Sequence, residues 1–277
     1  MLKLYHVILW DIKMKELSLY QVDAFATSVF KGNPAAVCPL EYWLTDQQMQ
    51  AIAEENNLSE TAFIVSDGNQ YQIRWFTPNT EVALCGHATL ASAFVLFHLF
   101  NHPDSEIIFQ SKSGELRVSK QNSQLQMDFP ALPYKRITPS ADFLRALNIV
   151  PKETYQSTFD LQCIFDDEAD VQHAQLDLFA ISQLEHRGVI SSAPGKQSDI
   201  YSRCFYPACN VPEDPVTGSA HCVIAPHCSH RLNKNTLHAI QGLKRQGSLD
   251  CEVQGSRVLL TGTCHLYMQG TIFIPNE

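Results

Sequence analysis

Two short segments of this chain carry residues suited to holding an anion and moving a proton. Gly86-His87-Ala88 and Gly218-Ser219-Ala220 each open an apolar stretch that reads as a buried helix. A helix that starts inside a protein leaves backbone N–H groups unpaired and a partial positive charge facing inward. A glycine at that point lets a ligand approach the backbone, so the two segments together would cradle a carboxylate or an enolate. Thr217 belongs to the second turn and counts with Gly86, Ala88, Gly218 and Ala220 as a substrate-binding candidate. Two glycines serving only as tight turns are the alternative.

Glu60 is the candidate general acid/base. It stands just before the strand-like run Ala62-Phe-Ile-Val65, where apolar neighbours would raise its pKa by desolvation toward a useful value. Position alone favours a solvated loop glutamate, because surface carboxylates are far commoner. Asp214, between Glu213 and Pro215, is either a second acid or the start of a simple Asp-Pro turn. Cys85 precedes a helix start, a setting that lowers a thiol pKa, and offers a cysteine-dependent racemase or epimerase as competing chemistry. The set His221, Cys222, His227, Cys228 and His230 lacks zinc-site spacing and reads as core residues, so no metal is expected. No nucleotide fingerprint, phosphate loop or serine elbow appears, and no cofactor is expected.

The elements that must position these residues come in two copies. Phe76-Thr-Pro78 followed by Glu81-Val-Ala-Leu-Cys-Gly86-His-Ala matches Phe205-Tyr-Pro207 followed by Glu213-Asp-Pro-Val-Thr-Gly218-Ser-Ala. In that register Glu81 faces Glu213, Val82 faces Asp214, Cys85 faces Thr217 and His87 faces Ser219. The acid at 214 is therefore specific to one copy, and a symmetric two-thiol proton shuttle is disfavoured. A duplicated fold closes around a pseudo-twofold axis, and the cleft between its halves is a default ligand site.

Alternation predicts strands over Leu17–Phe25, Ala35–Cys38 and Tyr71–Phe76, with Gly32-Asn33-Pro34 as a turn. Met49, Ile52 and Ala53 at helical spacing predict a helix from Thr45 or Asp46 to about Asn57. Ala88 to Phe100 is apolar almost all round, the mark of a helix enclosed by protein; its counterpart after Gly218 should be shorter or kinked because of Pro226. The expected fold is α+β, with two pseudo-symmetric domains, each a bent, mostly antiparallel sheet around a central buried helix. Residues 1–13 read as an accessory extension, 14–130 as the first domain and 131–277 as the second, with the last strand open as to which half receives it.

With 45% hydrophobic and 18% charged residues the composition is globular, and a net charge of −9 without a basic run argues against a nucleic-acid partner. Nine scattered cysteines without paired spacing suit a reducing, cytoplasmic compartment, and the apolar opening is too short to span a bilayer.

Several motifs in order give the chain a family resemblance from about Leu17 to its end. Gln21-Val-Asp-Ala-Phe25 with Gly32-Asn-Pro-Ala-Ala-Val37, Leu58-Ser-Glu60-Thr61-Ala-Phe63, Cys85-Gly-His-Ala-Thr89 and Glu213-Asp-Pro-Val-Thr-Gly-Ser-Ala-His221 resemble the PhzF, or phenazine biosynthesis-like, family. The resemblance implies a diaminopimelate epimerase-like fold with the site between two similar domains. It also implies a cofactor-independent isomerase whose glutamate takes a proton from one carbon and returns it to another. Glu60 occupies that motif position, and His87, Asp214 and Ser219 would line the site as catalytic residues, with backbone donors from Gly86 and Gly218. The implied partner is a small anionic metabolite, and a homodimer is expected because the family often pairs. Two departures stand out. Gln241-Gly-Leu-Lys-Arg245-Gln-Gly247 has Leu243 and Gln246 where many relatives carry serine and glycine, and His227-Cys228 replaces an aromatic pair. A non-catalytic small-anion binding protein is the reading from outside enzymology.

Overall fold

The computed structural model describes residues 14–276, and the extension expected over 1–13 lies outside them. The first half runs β1 (Met14–Ala24), β2 (Asn33–Leu40), α1 (Asp46–Asn56), β3 (Glu60–Asp67), β4 (Gln70–Phe76), β5 (Glu81–Val82), α2 (Gly86–His98), β6 (Glu106–Ser111), β7 (Gly114–Gln121) and β8 (Gln124–Pro130). The second runs β9 (Tyr134–Ile137), α3 (Ala141–Ala146), β10 (Glu153–Ser157), β11 (Asp160–Ile164), α4 (Glu168–Gln172), α5 (Leu178–Ser182) and β12 (Gly188–Ala193). It continues through β13 (Ile200–Tyr206), β14 (Val211–Asp214), α6 (Gly218–Leu232), β15 (Thr236–Gln241), β16 (Gly247–Gln254), β17 (Arg257–Gly262) and β18 (Cys264–Pro275).

The architecture is α+β, with an extensive mixed sheet and few helices. Pairing in the two halves follows one scheme. The parallel pairs β2–β3 and β4–β6 of the first half recur as β11–β12 and β13–β15 of the second, and antiparallel partners join the remaining strands. The last strand of the second half pairs in the first. After β8 the chain crosses to lay β9 against β10, and after β17 it crosses back to lay β18 against β1 along Met14–Ala24. Between these crossings β8 and β17 pair directly, Pro130 opposite Arg257 through Leu125 opposite Gly262.

Local chemistry explains the helices. Thr45 caps α1 through a capping box with Gln48, Asn57 ends it in the left-handed conformation, and Met49, Ile52 and Ala53 turn inward. Nearly every residue of α2 from His87 to Phe97 is buried, and so is most of α6. Both belong to one core, in which Leu90 and Val95 of α2 share a cluster with Val258 and Leu260 of β17.

The expectation of a shortened second helix is corrected: α6 spans 15 residues against 13 for α2. Proline cannot donate to the carbonyl four residues back. That carbonyl, on Cys222, instead accepts the Leu132 N–H of the connector at 2.9 Å, so the helix continues without an orphaned group. Among the described residues, no helix is long and apolar enough to cross a membrane.

Candidate active site

A cavity of about 550 Å³ opens between the halves, with Glu60, Gly86 and His87 on one side and Asp214, Thr217, Gly218 and Ser219 on the other. It lies at the N-termini of α2 and α6, whose N-cap residues Cys85 and Thr217 make no side-chain cap hydrogen bond. First-turn N–H groups at both helix ends thus face the cavity without a cap, as an anion requires. Neither glycine has a positive φ, and a Cβ there would meet only Phe129 at 3.7 Å or Leu260 at 3.5 Å, ordinary contacts. Tight turns do not account for these glycines. The side chains of Ala88 and Ala220 sit fully buried in the core and do not line the cavity.

Glu60 is the first residue of β3, and its side chain keeps only 16% of its surface exposed. Burial, then the nearby Asp214 carboxylate, raise its pKa to about 8, which the Cys85 thiol partly offsets. The pKa of Asp214 is raised to about 6 by burial, against hydrogen bonds from Thr217 and Asn33 that lower it. Two facing acids with displaced and separated ionisations are the pattern of a proton-transfer site.

His87 Nε2 lies 3.3 Å from Glu60 Oε2. Burial lowers the imidazole pKa to about 3, so the ring is neutral. Around Nδ1 lie the Asn33 amide nitrogen at 3.3 Å and the Cys85 sulfur at 3.5 Å, while His87 Nε2 and Glu60 Oε2 are buried and form no hydrogen bond. Cys85 itself departs from expectation: burial and the Glu60 and Asp214 carboxylates push its thiol pKa well up. The helix end cannot offset two neighbouring negative charges in a dry site.

Asn33 escaped the sequence reading. Its amide nitrogen reaches Asp214 Oδ1 at 2.7 Å and the Val216 carbonyl at 3.0 Å as well as His87, tying the halves together at the acids. Gly-Asn-Pro reads as a turn in sequence, and only the fold brings residues 33 and 214 together. On the far side Thr217 Oγ1 donates to Asp214, while the Gln241 amide donates to the Asp214 carbonyl at 2.8 Å and accepts from the Thr217 N–H at 3.0 Å. The altered loop after Gln241 is thus structural at both ends. Arg245 pairs with buried Asp23 at 2.7 Å and with the Gly32 carbonyl at 3.2 Å, across the halves.

The repeated glutamates have matching partners. Arg74 grips Glu81 and Arg203 grips Glu213, each with two contacts of 2.8 Å. Both arginines stand two residues before the motif phenylalanine, a signal the sequence did contain. The buried histidines near the C-terminal end of the site do not converge with the cysteines. His221 Nδ1 contacts the Thr217 carbonyl at 2.9 Å, and His227 packs between Tyr134 and Tyr155. Among the described residues, Glu60, Cys85 and His87 form one group whose potential ligand atoms all lie within 4.8 Å of one another, inside the cavity wall.

Strand register extends the duplication to the acid. Thr61 pairs with Phe76 in the first half and Val189 with Phe205 in the second. The two phenylalanines are equivalent, so Glu60 corresponds to Gly188. A Cβ at Gly188 would lie 2.1 Å from the Phe205 carbonyl oxygen. No second acid fits there.

Several proteins resemble the chain along its length. One from Pseudomonas aeruginosa named as an uncharacterized isomerase is 48% identical over 262 residues, covering 94% of this chain and 100% of that protein. Another so named, from Halalkalibacterium halodurans, is 44% identical, with coverages of 90% and 96%. The crystal structure of a PhzF-family phenazine biosynthesis protein from Enterococcus faecalis matches with a TM-score of 0.91 at 44% identity, over 94% of this chain and 100% of that one. A hydroxyproline epimerase from Agrobacterium vitis, 9% identical, shares the fold at a TM-score of 0.60 over 96% and 94% of the two chains. The family model described as phenazine biosynthesis-like protein matches residues 22–270, and the chain belongs to that family.

Proposed function

We propose that this protein is an isomerase that moves a proton between two carbons of a small carboxylated metabolite, with Glu60 as the single acid/base. The relatives named isomerases at 44–48% identity support the reaction class. The observation that carries the mechanism is the one-sided placement of Glu60: its pKa is raised to about 8, its pseudo-twofold counterpart Gly188 has no room for a side chain, and the facing Asp214 is held by hydrogen bonds from Thr217 and Asn33. A two-base racemase needs a group on each face of the reacting carbon. A one-base shuttle needs only one.

In this reading ionised Glu60 takes a proton from the carbon beside the carboxylate, and the first-turn N–H groups of α2 and α6 stabilise the enolate that forms. Neutral His87 stands beside Glu60 with Nε2 3.3 Å from Oε2, and its low pKa keeps it from taking the proton that Glu60 carries. The protonated carboxyl then returns the proton to a second carbon, so the product is an isomer and no other reactant is consumed. Such a shuttle calls for no cofactor. Cys85 would serve as base only as a thiolate, and its surroundings disfavour that form.

Deuterium wash-in followed by NMR tests this, with the wild type and Glu60→Gln incubated in heavy water with a panel of cyclic and acyclic amino and hydroxy acids. The expected result is exchange or isomerisation in the wild type and a loss of roughly 100-fold or more in the variant. Exchange that persists in Glu60→Gln sinks the assignment, and loss in Cys85→Ala alone would favour the cysteine chemistry. Binding without any exchange would favour the anion-binding protein.

A further inference from the structure

The position equivalent to Ser59, one residue before Glu60, is Arg187, one residue before Gly188. The first half therefore brings an acid to the cavity and the second brings a cation. Arg187 is fixed from behind, where Nε and Nη2 grip the fully buried Asp160 at 2.9 and 2.6 Å. Its Nη2 also donates to Ser219 Oγ at 3.0 Å, beside the first turn of α6. The guanidinium lies over the Tyr206 ring, 4.7 Å from its centroid. Tyr206 is 5% exposed, and its buried hydroxyl has no hydrogen-bond partner. All three residues line the cavity.

Among the described residues, Nη1 of Arg187 makes no hydrogen bond, which leaves its two N–H groups for a ligand. An arginine needed only to neutralise Asp160 would not have to stand in the cavity wall or hold Ser219. We infer that Arg187, with Ser219 and the Tyr206 hydroxyl, anchors the anionic group of the substrate at the α6 end, turning the reacting carbon toward Glu60 and His87. The substrate is thus a carboxylate, held at one end of the cavity by a fixed planar cation. The inference rests on the isomerase reading for the substrate's orientation, while the anion site stands without it.

The test uses benzoate and its neutral analogue benzamide as probes of the full-length protein, with affinities from ligand-observed NMR and folding checked by thermal melts. Arg187→Ala would leave Asp160 buried and unpaired, so the informative variant is the neutral pair Asp160→Asn with Arg187→Gln. Wild type is expected to prefer benzoate by roughly tenfold or more, the scale of one charge-assisted hydrogen bond, and the double variant to lose that preference. Arg187→Lys spends its ammonium on Asp160 and has no fork to spare, so it too should lose most of the preference while keeping the ion pair. Should the double variant fail to fold, Arg187→Lys carries the comparison. Glu60→Gln should retain the preference, so failure of the base assignment and failure of the anchor give different results. A purely structural arginine would lower the melting temperature without changing the ratio. That outcome, or a wild type that binds the two probes equally or binds neither, overturns the proposal.

Discussion

Glu60 and Asp214 are held against ionisation by the fold, which gives the free protein a measurable pH dependence. A glutamate of ordinary pKa 4.5 is raised to about 8 at Glu60, and an aspartate of 3.8 to about 6 at Asp214. Between each pair of values the native state keeps a proton that the unfolded chain has released, so stability falls as pH rises through the window. Above about 6 the slope belongs mainly to Glu60. Urea melts should therefore show wild type losing stability between pH 6 and 9 while Glu60→Gln stays level, the gap reaching roughly 1–3 kcal/mol. A wild type as flat as the variant would mean that Glu60 is solvated. Asn33 gives a second test. Asn33→Leu removes a donor from Asp214 and orphans the Val216 carbonyl, so the Asp214 pKa should rise above its wild-type value and stability fall by about 1–3 kcal/mol, followed by carboxyl NMR titration and melts.

At the scale of elements, the two arginine–glutamate clamps share a geometry but differ in burial. Arg203 is 8% exposed in its side chain and also donates to the carbonyls of Val171, Gln172 and Ala174, so it ties α4 and the segment after it to β13 and β14. Arg74 is 19% exposed and shares itself between Glu81 and the largely exposed Asp46. Glu213 is more exposed than Glu81, so the difference lies in the arginines: removing Arg203 also orphans three carbonyls, whereas Arg74 serves only carboxylates. Arg203→Leu should cost about 3–5 kcal/mol and Arg74→Leu about 1 kcal/mol, measured by chemical denaturation. Equal costs would show that the three carbonyl contacts of Arg203 contribute nothing.

For the whole molecule, the return of β18 to β1 and the pairing of β8 with β17 mean that the first half does not own a complete sheet. The segment 14–130 by itself lacks β18 beside β1 and β17 beside β8, and it loses the share of the core contributed by α6 and β17. Two long strand edges and an uncovered apolar face follow. That fragment, expressed alone, should fail to give a cooperative thermal transition or dispersed amide resonances. A folded fragment would show that the seam contributes little to stability.

Much of this was legible in the chain. Period and capping gave α1 to within a residue, because Thr45, Gln48, Met49, Ile52 and Ala53 act within a single helix. The repeated Gly-His and Gly-Ser segments marked the starts of α2 and α6, because buried helices need apolar runs and an anion site needs bare amides. What the sequence could not supply was anything set by two distant segments at once. Asn33 against Asp214, Arg187 against Asp160 and Ser219, and Arg245 against Asp23 are separated by up to 222 residues. Nor could sequence foresee the raised Cys85 thiol, because local helix-end polarity lowers a thiol pKa while tertiary burial beside two carboxylates raises it. Short-range hydrogen bonding and hydrophobic period determined the elements. Strand register within each half decided which positions are equivalent, because the pairings of Thr61 with Phe76 and of Val189 with Phe205 align Glu60 with Gly188, which has no room for a side chain, and Ser59 with Arg187.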